Sequence, residues 1–275
     1  MTVEANKIAL LIEYTGKKFH GSQYQEGVLT VQQELERALA ILFGQPLRAI
    51  FSGRTDSGVD ARGQVVHVVL PEGRQALSQS EIFDLTWRLN GIIIKEMSVT
   101  ALDNAPSDFH ARFSASEREY VYRILNRSQR STLLKDTHYF VRQPLDLKAM
   151  RSAASSLLGR HDFASFKSSN SDNSSTICTV RRAELLNLRE GELEFWIAAD
   201  HFVYNMVRII VGTLIDIGLG KRGVEAVEQA LASHDRLLTG PTAPPWGLTL
   251  NAVRYPDHFQ LFQNDTGLTI EELRE

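Results

Sequence analysis

The stretch Ser52-Gly53-Arg54-Thr55-Asp56-Ser57-Gly58-Val59-Asp60-Ala61-Arg62-Gly63-Gln64 sets one carboxylate, Asp56, between two guanidinium side chains, Arg54 and Arg62. Its glycines tighten the backbone enough to aim a short side chain at a fixed point. A carboxylate held that way can attack an electrophilic sugar carbon or stabilise positive charge developing there. The same residues also suit an Asx-turn with its ions in solvent, and the loop by itself leaves both readings open.

Two further positions carry chemistry. In Arg118-Glu119-Tyr120-Val121-Tyr122-Arg123-Ile124, strand alternation puts Tyr120, Tyr122 and Ile124 on one face. An aromatic ring on a sheet face can stack a nucleobase. Core packing is the competing reading, stronger for Tyr122 than for Tyr120. Arg208 lies in the most apolar helical stretch, Phe202 to Val211. A guanidinium there must either snorkel out or meet an anion, and Asp56 is the partner expected.

Other signatures fail. Gly218-Leu219-Gly220-Lys221-Arg222-Gly223 spells a dinucleotide fingerprint, but it follows an apolar helix where that motif needs a strand. It reads as a helix cap and turn. There is no Walker-type phosphate loop, no HExxH and no GxSxG, and the histidines show no paired metal-ligand spacing. Cys178 is the single cysteine, so a cysteine-based zinc site is excluded. Neither a metal nor a nucleotide cofactor is expected.

The elements that must position these residues repeat. The first half reads as strand Lys7–Tyr14, helix from Thr30 (with Gln33 at capping-box spacing) to Gly44, strands Leu47–Phe51 and Gln64–Leu70, helix Ser80–Leu89 and strand Met97–Leu102. The thirteen-residue stretch Ser52–Gln64 thus runs from the end of one strand into the start of the next. The second half gives strand Arg118–Leu125, helix Asp146–Leu158, a hairpin of Val180–Leu188 with Leu193–Ala199, helices Phe202–Ile217 and Val224–Ala232, and strand Leu248–Arg254. The expected class is α+β: two ferredoxin-like (βαββαβ) lobes whose antiparallel sheets join across a central cleft. The first lobe, 1–105, carries the Asp loop. The second, 106–256, carries the Tyr strand and the Arg helix, and 257–275 is an acidic tail expected to be loosely held. Lys167–Thr176 is Ser/Asn-rich and reads as a mobile loop, and Leu238–Gly247 as a proline-stiffened connector.

With 43% hydrophobic residues, the chain can bury a substantial core. The run Ile8–Ile12 is too short for a signal core or membrane span, so a cytoplasmic location without membrane contact is expected. The net charge of −3 at first argues against RNA. However, residues 257–275 hold five acids and one base, a net of −4, which leaves the other 256 residues at +1. From Asp108 to Arg151, nine Lys/Arg face five Asp/Glu, a local +4 that suits a polyanion.

At these motifs the sequence resembles the TruA family of tRNA pseudouridine synthases over nearly its whole length to Pro256. The signature GRTDxGV…GQVVH stands as Gly53–Val59 with Gly63–His67, and FHARFSA as Phe109–Ala115 followed by Arg118, Tyr120, Tyr122 and Ile124. The MVR…VG helix stands as Met206–Arg208 with Val211-Gly212, and the opening pattern as Tyr14, Gly16, Phe19, Gly21, Gln23 and Gln25, then Val31-Gln32. The resemblance implies a catalytic Asp56, an active-site Tyr120 and Arg208 as the aspartate's ion-pair partner. It also implies a homodimer, the tRNA anticodon stem-loop as substrate, and no cofactor. Ser22 stands where a Trp or Tyr is common and Asp60 where a His is common, both expected on the RNA-facing surface.

For this chemistry, Arg208 is expected to keep Asp56 ionised and oriented. Arg54 is expected to fill the space left by an extruded uridine or hold its phosphate. Tyr120 is expected to stack on the uracil, its hydroxyl a candidate proton relay. Arg62, Arg112, Arg118 and Arg123 are candidates for RNA-backbone contacts. The rival reading is a non-catalytic RNA-binding protein with tandem RRM-like lobes, although the RNP1 aromatics are absent. A nucleoside hydrolase would usually need a second acid–base carboxylate.

Overall fold

The computed structural model describes residues 6–168 and 175–262. Strand β1 (Lys7–Tyr14) follows its alternation, burying Ile8, Leu10, Ile12 and Tyr14 together. It pairs antiparallel with β3 (Asp60–Val69) and β4 (Met97–Ala105), and β2 (Ala49–Phe51) adds to β3. On the other side, β5 (Glu117–Asn126), β9 (Glu192–Ala199), β8 (Ile177–Asn187) and β7 (Gly159–Asp162) pair antiparallel in turn, and β6 (Tyr139–Val141) lies parallel to β5. The last strand, β10 (Leu248–Arg254), joins the halves. It runs antiparallel to β5, and parallel to β3 through Thr249↔Asp60 and Leu250↔Ala61. The result is a mixed α+β chain with one ten-stranded, mostly antiparallel sheet, ordered β4-β1-β3-β10-β5-β9-β8-β7 with β2 and β6 off this path.

Helix α1 (Val31–Phe43) begins where the Thr30 hydroxyl accepts from Gln33 N and ends at Gly44 in the left-handed region. Helix α2 (Gln79–Ile92) starts with a reciprocal Ser78–Glu81 capping box. Their buried Leu35, Leu39, Leu85 and Leu89 cover Ile8, Leu10, Val66 and Val68. A second apolar cluster joins Tyr122, Ile124, Phe195 and Ile197 to α3 (Leu147–Ser155), α4 (Met206–Gly218) and α5 (Ala226–Ser233). Tyr120 borders both clusters. Since Tyr120 and Tyr122 share a strand face, the two helix groups cover the same side of the sheet.

Several boundaries differ from the sequence reading, each for a local reason. Strand β3 begins at Asp60 and not Gln64, which shortens the Asp56 loop to Ser52–Val59. The early start works because β3 bulges against β1 between Tyr14↔Ala61 and Ile12↔Gln64. Gly63 also leaves room for Asn251 O, 2.5 Å from where a Cβ would sit. Helix α4 begins at Met206 and not Phe202, because Asn205 adopts φ 63°, ψ 7°. Gly218 closes α4 and Gly220 takes φ 68°, as the cap-and-turn reading requires. The short strands β6 and β7 leave no periodic signal. The mobile-loop expectation for Lys167–Thr176 falls mainly on 169–174, outside the described residues. The loosely held tail is corrected as far as residue 262. Phe259 packs edge-on against Phe109 at 5.2 Å, and Phe262 N donates to Asp103.

The proline-containing connector lies directly along α4. A Cβ on Gly212 would fall 1.7 Å from Pro241 O. Gly240 N donates to Thr213 Oγ1 at 2.8 Å, and Ala243 N to Arg208 O at 3.0 Å. Backbone meets backbone, so neither side can yield cheaply. Gly212→Ala is therefore expected to cost about 3 kcal/mol, lowering Tm by roughly 6–12 °C. Thermal unfolding followed by circular dichroism checks this, and an unchanged Tm would contradict the close approach.

Candidate active site

The Asp56 loop leaves β2 and re-enters the sheet at β3, so both its ends are fixed by strands. Beneath it lies a buried polar network. The Tyr14 hydroxyl meets Thr55 Oγ1 at 2.7 Å. Gln64, fully buried among valines, donates from Nε2 to Gly53 O at 3.0 Å and accepts from Ser52 Oγ. Ser22 N donates to Thr55 O at 3.1 Å, and Thr55 N donates to Ser22 Oγ at 2.8 Å. Burial raises the Tyr14 hydroxyl to about 12, so it stays a neutral hydroxyl within this network.

From the other side comes Arg208, in the first turn of α4. Its Nη1 donates to Asp56 Oδ2 at 2.8 Å and to Asn205 Oδ1 at 2.8 Å, and its Nε donates to Ala243 O at 2.8 Å. The side chains of Arg208 and Asp56 are 16% and 22% exposed, so the pair is shielded without being sealed. The expectation that this arginine meets Asp56 is met. The left-handed Asn205 turns Phe202–Asn205 out of the helix. That brings the Asn205 amide to Arg208 and the Phe202 ring edge-on to Tyr120 at 5.1 Å. Asp56 Oδ1 receives no hydrogen bond from the described residues.

Tyr120 is half-buried between the two apolar clusters. Burial, then the neighbouring Tyr14 and the Asp56 charge, raises its hydroxyl well above the usual phenol range. It is thus a neutral phenol that can stack and donate, not a base that ionises. Its hydroxyl has no hydrogen-bond partner among the described residues. Tyr122 is fully buried, with its hydroxyl donating to Pro244 O at 2.8 Å, as its core reading predicts.

The arginines separate. Arg54 and Arg112 are exposed and make no ion pair among the described residues. Arg62 and Arg123 do not come to Asp56. Strand alternation puts Arg123 on the sheet face opposite Tyr120, where both arginines line a depression with Glu13, Asp60 and Glu96. Arg123 is further committed to Glu194 Oε1 at 3.1 Å and Thr249 Oγ1 at 3.1 Å. Arg118 is spent on four backbone carbonyls, those of Ala115, Asp200, Ser52 and Arg112, and so ties together three segments around the site. The expected surface position is corrected for Ser22, whereas Asp60 is partly exposed and lines that depression. Ser22 is 1% exposed and clamps Thr55, while Asp60 accepts from Gly16 N at 2.7 Å on the far face.

Among the described residues, one group has metal-ligand types: Cys178, Asp200 and His201, with ligand atoms within 4.8 Å. Asp200 Oδ1 already accepts from Thr179 N and His201 N. Burial pushes the Cys178 thiol up to about 12, so it stays a thiol, a poor ligand. The supports that sequence reading missed are Gln64, Tyr14, Ser22, Asn205 and the Ala243 carbonyl. Only Gln64 left a signal, a polar residue within the valine run Val65-Val66 and Val68-Val69.

Gln64→Leu would leave Gly53 O, the Ser52 hydroxyl and one Tyr14 contact without a buried partner. Each orphaned group costs about 1–3 kcal/mol. The variant should lose stability in denaturant titration and also become more susceptible to proteolysis between residues 52 and 59. Protection there equal to the parent would show that the network does not hold the loop.

A family model described as tRNA pseudouridine synthase matches residues 153–256. Proteins named tRNA pseudouridine synthase A are similar over almost the whole chain. The one from Halalkalibacterium halodurans is 42% identical over 248 residues, 88% of this chain and 90% of that one. The one from a Geobacillus species is 38% identical over 91% of this chain and 99% of its own length. The one from Pasteurella multocida is 39% identical over 95% and 96%. With such identity over about nine-tenths of its length, the chain belongs to the tRNA pseudouridine synthase A family.

Proposed function

We propose that this protein isomerises uridine to pseudouridine in the anticodon stem-loop of tRNA, with Asp56 as the catalytic carboxylate. The observation that carries the reading is the Asp56–Arg208 contact at 2.8 Å beside Tyr120. The reaction breaks the uracil N1–C1′ bond and joins C5 to C1′. The C5 proton leaves and N1 gains one, so no atom or electron is lost overall. The freed uracil stays in the site and returns as the nucleophile. One carboxylate suffices to help at the sugar, by attack on C1′ or by removing a sugar proton. Tyr120 stacks on the extruded base, and Arg54 contacts the flipped nucleotide at the rim. Extrusion itself costs roughly a few kcal/mol.

We read the chain as two ferredoxin-like lobes, 1–105 and 106–256, flanking a cleft in which the RNA lies. It acts as a homodimer in the cytoplasm. Among the described residues, no helix is long and apolar enough to cross a membrane. A hydrolase reading is disfavoured, because Asp60, the acid nearest in sequence, sits on the other sheet face held by Gly16 N.

Incubation with tRNA tritiated at uracil C5 tests the reaction. Tritium release with uracil retained in the polymer is expected. Free uracil would indicate a hydrolase, and no release a binder. Asp56→Asn should fall to background, and Arg208→Met should lose about 100-fold or more in rate. Normal turnover by either would sink its assigned role. Tyr120→Phe should bind tRNA yet lose about 100-fold in single-turnover rate if its hydroxyl guides a proton. A rate equal to the parent would reduce Tyr120 to stacking.

A further inference from the structure

Phe113 is 75% exposed, yet nothing about its backbone is loose. The turn 110–114 is closed by Ser114 N donating to His110 O at 2.9 Å and His110 N donating to Ser114 Oγ at 3.0 Å. The His110 ring then accepts at Nδ1 from both Arg112 N (3.2 Å) and Phe113 N (3.3 Å). Partial burial and the Lys7 charge lower the His110 pKa, which keeps that nitrogen free to accept. One side of the Phe113 ring rests on His110, with centroids 4.4 Å apart and planes tilted by 34°. The Arg112 guanidinium carbon lies 5.5 Å from the ring centroid. The turn therefore presents a rigid phenyl to solvent with a cation beside it.

The position matters as much as the exposure. Arg118 Nη2 donates to Arg112 O at 2.6 Å and to Ser52 O at 3.1 Å. A single nitrogen thus binds the Phe113 turn to the first residue of the Asp56 loop. From Ser52 to Asp56 the chain can span at most roughly 13 Å. The Phe113 turn is thus tied to the segment that carries Asp56, with the exposed Arg112 beside the ring and the exposed Arg54 two residues beyond Ser52; neither arginine makes an ion pair among the described residues.

We propose that Phe113 is a second stacking platform, which takes a nucleobase near the extruded uridine while Arg112 and Arg54 hold the flanking phosphates. The inference rests on the proposed RNA substrate and adds a specificity-determining contact to it. Three features favour RNA over a protein partner: an exposed guanidinium, that of Arg112, beside the ring, a turn that holds the ring rigidly in water, and the Arg118 tie to the segment that carries Asp56. Tyr120 takes the base inside the site, and Phe113 takes a neighbour outside it.

Equilibrium binding of an unmodified tRNA transcript at fixed salt tests this. Loss of one base–aromatic stack predicts that Phe113→Ala weakens binding about tenfold. Phe113→Trp should bind like the parent, and its added indole emission should be quenched on saturation with tRNA. Phe113→Leu, apolar but without a π-face, should stay as weak as the alanine variant. Arg112→Gln should lower the salt slope of binding by about one unit. Unchanged affinity in Phe113→Ala, full affinity in Phe113→Leu, or unquenched emission in Phe113→Trp would overturn the proposal. So would a shift in sedimentation coefficient of Phe113→Ala with affinity intact, which would assign the ring to a contact between copies. None of these readouts needs turnover. Stacking without tritium release would sink the proposed reaction and leave Phe113 in place, and the reverse outcome would sink only Phe113.

Discussion

The ion pair between Asp56 and Arg208 joins positions 152 residues apart, and each half of the molecule supplies one of its ends. Its energetics explain why an arginine stands there. The guanidinium serves three acceptors at once: a carboxylate, an amide oxygen and a backbone carbonyl. A lysine ammonium could match the charge but not that planar fork. The pair is shielded on most sides yet still touched by solvent. It therefore escapes the full desolvation cost of a buried pair, while the carboxylate is oriented more firmly than an exposed pair would allow.

Holding both ends in register falls to the end of the chain. Strand β10 is laid down last but sits near the middle of the sheet, parallel to β3 and antiparallel to β5. The connector that feeds it runs along α4 at backbone contact distance and delivers the Ala243 carbonyl to Arg208 Nε. The Asp56 loop, the Tyr120 strand and the Arg208 helix thus meet at one seam, which β10 and its connector hold together. Arg118 performs a similar service on the rim, spending its donors on carbonyls from three segments. An arginine that looks like an RNA contact in sequence is here a structural tie.

What could be read from sequence follows from which residues violate their surroundings. Arg208 was legible because a guanidinium inside an apolar helix demands an anion. Asp56 stood out as one acid among glycines and arginines, but the loop suited an Asx-turn equally well until the family resemblance was added; the face of Tyr120 was legible because alternation fixed it. The helix caps at Thr30 and Gly44 were equally plain, since their side chains or φ values carry the mechanism. The residues that support the site were not legible. Ser22, Tyr14 and Asn205 are ordinary types at ordinary spacings, and their roles arise from contacts across 3 to 50 residues. The face of Arg62 was lost for a similar reason, whereas alternation along β5 already sets Arg123 opposite Tyr120. A bulge between β1 and β3 decides which side of the sheet a residue near Gly63 faces, and no periodicity announces a bulge.

The inventory of ionisable groups at the site also bears on the kind of reaction proposed for it. Hydrolysis of a glycosidic bond generally needs one acid to protonate the leaving group and one base to activate water. Here one carboxylate is paired with a guanidinium, and the nearest phenol is pushed further from ionisation by its burial. Such a site is poor at activating water. It is well suited to a leaving group that needs no external proton, and uracil qualifies because its N1 anion is delocalised over two carbonyls. The same delocalisation makes C5 nucleophilic once the base has turned. The spareness of the site is then a match to a substrate that supplies both its own leaving group and its own nucleophile.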